Sequence, residues 1–301
     1  MAILFKGKKS DGGKTEMEIF KKLIIYKKAS KGDIKALHVE ADSTHKKSCI
    51  TAEQIYVNEH YGEIIGGDVE IKYIKGGKVV ANTVKVGYLK DAEITANYVN
   101  IDNLGSNNKI ISTNTIEINN IQGVKNTLVI KPPIDENTLE ELSSLYDRVA
   151  LFKAEFDKTN TQLERKLKEV EKQREKAQKY KLEIEKTRQN GDIPHVDLLI
   201  SIKEFNMNIR EYDTLIKTIK GLERYIQEDE EEFSKLQNNI ILNGKIIINS
   251  SCKENNDILF VLPKYDLGYK LVKNDNISEI YLKYSGNKEF QLEIKEREIQ
   301  Q

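Results

Sequence analysis

The sequence predicts a mixed fold, all-β plus coiled coil: a right-handed parallel β-helix interrupted by a long antiparallel α-helical hairpin and followed by a C-terminal β segment. Three observations predict it. An apolar template recurs at the spacing of one solenoid coil. The apolar period then changes from two to three-and-a-half through the middle of the chain. Strand-like runs return after it. The domains expected are a β-helix with an N-terminal cap over residues 1–133, the hairpin over 134–239, and a segment over 240–301 that completes or caps the β-helix.

The template is plainest in "VVANTVKVGYLKDAEITANYVNI", where Val79, Ala81, Val84 and Val86 are followed fifteen residues later by Ile94, Ala96, Val99 and Ile101. The same offsets of 0, +2, +5 and +7 recur from Ile34, Ile50, Ile64 and Ile111, and the six starts lie 16, 14, 15, 15 and 17 residues apart. That is too short for a helical-hairpin repeat and fits one coil of a β-solenoid. Offsets 0 and +2 alternate as on a strand, two polar positions follow, and alternation resumes at +5 and +7. Each coil therefore turns a corner between two strands whose apolar residues face inward.

A small residue (Ala36, Ala52, Gly66, Ala81, Ala96 and Thr113) shares that interior with Ile and Val. Asn82, Asn97 and Asn114 form an outward column at the corner, either as a hydrogen-bonded ladder or as residues that tolerate turn geometry. The rest of each coil, such as "KYIKGGK" and "DNLGSNNK", reads as solvent-side loop. Left-handed β-helices place an aliphatic at every sixth position; the offsets here do not, which argues for the right-handed form.

Pro132–Pro133 stop the last strand, and Asn137 with Glu140 reads as a helix capping box. From Leu142 a 3,4 alternation runs through Leu145, Val149, Phe152, Phe156, Thr159, Leu163, Lys166, Val170, Gln173, Ala177 and Tyr180 to Ile184, a heptad seam. Gly191 and Pro194 separate it from a second seam: Ile202, Phe205, Ile209, Tyr212, Ile216, Ile219, Glu223, Ile226, Glu230 and Phe233. Two such helices joined by a short loop lie antiparallel, an arm on the order of 60 Å long at 1.5 Å per residue.

The tip of that arm carries Ile193, Val196, Leu198 and Leu199, aliphatics with few neighbours to cover them, and these four are the candidate partner contact. The alternative, that they only seal the turn between the helices, stays open. Beyond the arm, residues 240–248 are expected to re-enter the β-helix as its next coil. Strands near 258–262, 268–272, 278–284 and 289–294 lack the repeat and are expected to cap the open end.

The chemistry of the chain points away from catalysis. With 48 Lys+Arg against 48 Asp+Glu there is no global charge to attract nucleic acid or an anionic membrane. No run approaches about 18 apolar residues, so membrane insertion is not expected and a soluble cytoplasmic protein is. Cys49 and Cys252 lack metal or disulfide spacing. His38, His45, His60 and His195 share no ligand spacing, and Asp68 with Glu70 is too sparse for a calcium site. The expectation is a protein that is not an enzyme and uses no cofactor or metal.

The order of parts, β-helix coils with "GGDVEI", "GGKVVA" and "DAEITA", then a long hairpin, then a β segment ending "EFQLEIKE", resembles the bacterial flagellar assembly protein A family. The β-helical part is also similar to the C-terminal domain of the septum-site inhibitor and to bactofilins, which lack the hairpin. The first resemblance implies a non-catalytic cytoplasmic scaffold or adaptor, acting in flagellar assembly or placement through contacts of its arm with a protein partner or with itself as a homo-oligomer. The second implies the alternative, a cytoskeletal β-helix that polymerises.

Overall fold

The computed structural model describes residues 24–29, 31–250, 252–273 and 276–297. The part of the expected N-terminal cap before Ile24 lies outside them. Two compact units are present: one comprises residues up to Leu139 and from Gln237 onward, the other Glu140–Leu236.

The first unit is a β-solenoid. Its strands in chain order are β1 (Ile24–Ala29), β2 (Gly32–Lys35), β3 (His38–Thr44), β4 (Ser48–His60), β5 (Glu63–Lys75), β6 (Lys78–Lys90), β7 (Glu93–Leu104), β8 (Lys109–Ile121) and β9 (Thr127–Ile130). All pair in parallel, and the register runs Ile34, Ile50, Ile64, Val79, Ile94, Ile110 down one column. The offset +5 column of Val39, Ile55, Val69, Val84, Val99 and Ile116 is buried throughout. Like residues stack on like, so every coil offers the next the same apolar surface.

Two features depart from the sequence expectation. The sixth coil starts at Ile110, not Ile111, because one extra residue bulges its corner between the pairs Ala96–Ser112 and Tyr98–Thr115. Ser112, fully buried, takes the inward position expected of Thr113, and donates its hydroxyl to the Asn97 carbonyl at 2.6 Å. The outward ladder accordingly runs Asn82, Asn97, Thr113: Asn97 Nδ2 donates to Asn82 Oδ1 at 2.6 Å and Thr113 Oγ1 to Asn97 Oδ1 at 2.7 Å. Asn114 is left out of it.

The stretches expected to be loops form a third side. The strands continue to offset +10, one more in the bulged sixth coil, where His60, Ile74, Leu89, Leu104 and Ile121 stack fully or almost fully buried. The corner that follows is made by a left-handed residue, Gly76, Asp91, Asn107, Lys125 or Asn255, and after the last four of these comes a buried one, Ala92, Asn108, Asn126 or Asn256. In the last coils that inward residue is an asparagine. Asn108, Asn126 and Asn256 form a buried column, Asn108 Nδ2 donating to Asn126 Oδ1 and Asn126 Nδ2 to Asn256 Oδ1, both at 2.8 Å. Each Oδ1 also accepts the backbone N–H of the coil before, from Ala92, Asn108 and Asn126 at 3.0–3.1 Å. The column satisfies corner amides that would otherwise be buried without partners.

After β9 the chain forms α1 (Glu136–Gln189) and α2 (Val196–Leu242), then β10 (Lys245–Ile248), β11 (Asn256–Val261), β12 (Asp266–Leu271), β13 (Ile277–Gly286) and β14 (Glu289–Glu296). β9 and β10 are the two halves of one coil. β9 pairs with the first half of β8, setting Ile130 beside Ser112, and β10 with the second half, setting Lys245 beside Thr115. The helices are thus an insertion at a solenoid corner. Residues 245–248 do re-enter as the next coil, whereas 240–242 still belong to α2.

β11 then stacks in parallel on β9, with Ile258 on Leu128 and Phe260 on Ile130, so the first of the C-terminal strands does follow the repeat. The switch to antiparallel pairing comes next. β12 covers β11, and β13 with β14 covers β10, closing edges that a further coil would have used. At the hairpin's start, the cap is Asp135 and not Asn137: its Oδ1 accepts the Thr138 amide and hydroxyl, each at 2.7 Å. That amide bond holds the Asp135 carboxyl below its ordinary pKa.

Two substitutions test the register. Val84 is fully buried and Lys85 exposed, so Val84→Lys should lower stability by about 4 kcal/mol or more while Lys85→Glu changes little; equal losses in urea unfolding would show the inward set to be wrong. Asn126→Leu removes the acceptor shared by the backbone and side-chain amides of Asn108, leaving the side chain only Leu89 O at 3.4 Å, and should cost about 3 kcal/mol, against less than about 1 kcal/mol for exposed Asn97→Ala.

Candidate functional site

The second unit holds the residues that the sequence marks for contact. Its helices are antiparallel, because their cross-pairs climb one helix as they descend the other: Tyr146 with Phe233, Arg148 with Asp229, Phe152 with Tyr225, Lys166 with Glu211, and Gln173 with Asn208. Every α1 residue of the expected seam from Leu142 to Ile184 is buried or half-buried. On α2 the seam differs at two positions. Glu223 and Glu230 are exposed, and Leu222 and Asp229 take their places, which keeps the 3,4 spacing from Ile219 to Phe233.

An aspartate at a seam needs a partner, and Arg148 provides one. Its Nη2 lies 2.8 Å from Asp229 Oδ1 and its Nε 3.1 Å from Oδ2, a two-pronged contact. Farther along, the seam carries a polar layer. Lys166 Nζ reaches Glu211 at 2.8 Å, Glu169 at 2.9 Å and Asn208 Oδ1 at 3.3 Å, and Asn208 donates to Gln173 at 2.8 Å. The two carboxylates, Glu211 foremost, hold the Lys166 ammonium above its ordinary pKa. Such a layer fixes register, since sliding one helix by a turn would strand each polar group against an apolar one. A groove of ≈ 540 Å³ beside it is lined by Arg165, Lys166 and Arg210 among others.

The four sequence-predicted contact residues fall into two groups. Ile193, in the link between the helices, is 91% exposed, Val196 63% and Leu199 39%. Leu198 is half-buried and faces the seam side. Pro194 is buried, so the link is sealed chiefly by proline and Leu198 while the other three are left to solvent. Sequence reasoning missed three more exposed apolar side chains close by, Leu182, Ile200 and Met207 at 59%, 49% and 50%. The missing signal was the second face of the helix: the heptad reading selects one stripe and passes over apolar residues opposite to it.

The histidines do not converge. His38 Nε2 sits 3.0 Å from Glu40 on an outer face, and His195 Nδ1 3.2 Å from Asp197 at the start of α2. His60 is enclosed in the solenoid, its Nδ1 3.0 Å from Thr44 Oγ1 and its Nε2 without a hydrogen-bond partner among the described residues. Burial lowers its pKa to about 4. Among the described residues, no group of three or more His, Cys, Asp or Glu side chains could hold a metal, and no helix is long and apolar enough to cross a membrane. Cys49 is half-buried and Cys252 buried, and burial, then Glu63, pushes the Cys49 thiol up. Comparison with protein-family models, curated proteins and solved structures finds no match.

His60 gives a pH prediction. With a folded pKa of about 4 against 6.5 unfolded, the unfolded chain binds the extra proton between those values, so stability is complete above pH 6.5 and falls as pH drops toward 4. The loss should total roughly 3 kcal/mol. Urea unfolding of wild type and His60→Leu, which copies Leu89 and Leu104 in the same column, should diverge by about 1.2 kcal/mol between pH 6 and 5; parallel curves would mean the ring is not buried neutral.

Proposed function

We propose that this protein is a non-catalytic scaffold or adaptor of flagellar-assembly-protein-A type, with the solenoid as a rigid base and the hairpin as the part that recognises another protein. The observation that carries the reading is the cluster of exposed large apolar side chains in the half of the hairpin nearest its turn, Leu182, Ile193, Val196, Leu199, Ile200 and Met207. Water contact at six such residues within a short stretch is unfavourable for an isolated chain and is relieved by docking. The reading includes a right-handed coil, from the repeat offsets, and a coiled-coil seam, from the 3,4 spacing of residues buried between α1 and α2.

Support for a non-catalytic role comes from the placement of the titratable groups, with His60 shut inside and His38 and His195 engaged by single surface carboxylates. The antiparallel strands β12, β13 and β14 weigh against the polymerising alternative, since they cover edges on which another solenoid would stack. The setting this reading implies is cytoplasmic, in flagellar assembly or placement.

Excision tests it. Gln237 must be kept, because its side chain bonds Leu282 O and the Tyr284 amide in the solenoid unit. Replacing residues 140–236 by a short Gly-Ser linker should leave a cooperatively unfolding β protein that no longer captures, in cross-linked host extract, the proteins bound by the full chain. Ile193→Glu with Val196→Glu should weaken the same captures without changing thermal unfolding. An excised protein that retains every partner would place recognition on the solenoid and overturn the proposal.

A further inference from the structure

α2 is apolar on two opposite faces. Phe205, 9% exposed, points into the seam; at about 100° per residue, Val196, Ile200 and Met207 stand about 140–180° away from it. A helix with apolar residues on both sides belongs between two neighbours, and α1 supplies only one. The outer stripe continues through Thr214 at the same heptad position as Ile200 and Met207.

The flanks of that stripe are charged, each with one sign. On one side, about 60° from the stripe, lie Lys203, Arg210 and Lys217; on the other, about 40–60° away, lie Asp197, Glu204 and Glu211. Both sets repeat every seven residues, in step with the stripe. All six are exposed. Glu211 is bonded to Lys166 and Asp197 to His195, but Lys203, Arg210, Lys217 and Glu204 have no ion-pair partner among the described residues.

From this pattern we infer that the outer face of α2 docks on the same face of a second copy of this chain, with the two α2 helices parallel and in register. The charges choose both the occupant and its direction. In a parallel pair related by a two-fold axis along the helices, the basic flank of each helix meets the acidic flank of the other. In an antiparallel pair, basic would meet basic and acidic would meet acidic. The stripe then closes on itself, Ile200 against Ile200 and Met207 against Met207 of the second copy, and each α2 gains an apolar neighbour on its second face. The inference rests on the hairpin being the contact-making part of the molecule and adds what it contacts.

The direction can be read by cross-linking the full chain. In a background of Cys49→Ser and Cys252→Ala, Ile200→Cys alone and Met207→Cys alone should each form a disulfide-linked dimer on mild oxidation. Cross-linking that appears only when the two variants are mixed would show an antiparallel pair and overturn the parallel register. By sedimentation equilibrium the wild type should be a dimer, and Ile200→Glu, which apposes two carboxylates in the stripe, should raise its dissociation constant at least about a hundredfold with thermal unfolding unchanged. Lys203→Glu and Glu204→Lys should each weaken the dimer about tenfold, and their combination should restore it. A wild type that stays monomeric up to about 0.1 mM, or a dimer indifferent to Ile200→Glu, overturns the self-contact. If that monomer still loses its other partners on excision of 140–236, the hairpin keeps its recognition role and only the second copy is refuted.

Discussion

The solenoid is made from two stretches of chain separated by the hairpin, and a buried column of side-chain amides keeps them in one register. Asn126 donates to Asn256 across 130 residues of sequence, and its own amide N–H is accepted by the same oxygen. Asn256 in turn bonds Gly123 O and Lys253 O. In a dry interior each of these bonds is strong because water cannot replace it, so a shift of one residue after the hairpin would strand several polar groups together. The apolar columns fix which face is inside; the amide column fixes which coil lies on which. Without it, Ile246 and Ile258 would have many equivalent aliphatic positions to occupy.

That constraint explains why an insertion as long as the hairpin is tolerated. The chain leaves beside Ser112 and returns beside Thr115, so β8 is a template for both halves of the interrupted coil. Closing a loop between such close points costs little more for a long insertion than for a short one, and two antiparallel helices bring their ends together unaided. A solenoid corner is also the place where the strand ladder is already broken. Insertion there sacrifices no ladder hydrogen bond.

Within the hairpin, the polar layer and the apolar stripe serve different ends. Lys166, Asn208 and Gln173 weaken the seam locally but leave one alignment of α1 on α2 that satisfies all of them. A fixed alignment gives the outer face of α2 a defined geometry. Ile200 and Met207 are then presented on a helix whose rotation is set by Phe205 and Ile219 in the seam.

The sequence by itself determined the periods: two on each strand, fifteen from coil to coil, three-and-a-half along the helices. Burial acts residue by residue, so an inward column of Ile and Val or a seam from Leu142 to Ile184 is written into the order of apolar and polar residues. Only the tertiary structure decided matters that depend on neighbours distant in the chain. The "NN" pairs at 107–108 and 255–256 look like loop because asparagine suits left-handed turns, and the first of each pair does make the turn, yet the second is turned inside and bonded to another coil. Asp229 looks like surface until Arg148, 81 residues away, lies beside it. The bulge at Thr113, which moves the sixth coil to Ile110, follows from fitting one extra residue against a coil that lacks it. Local pattern reports how a residue meets water; only the packed chain reports which partner replaces that water.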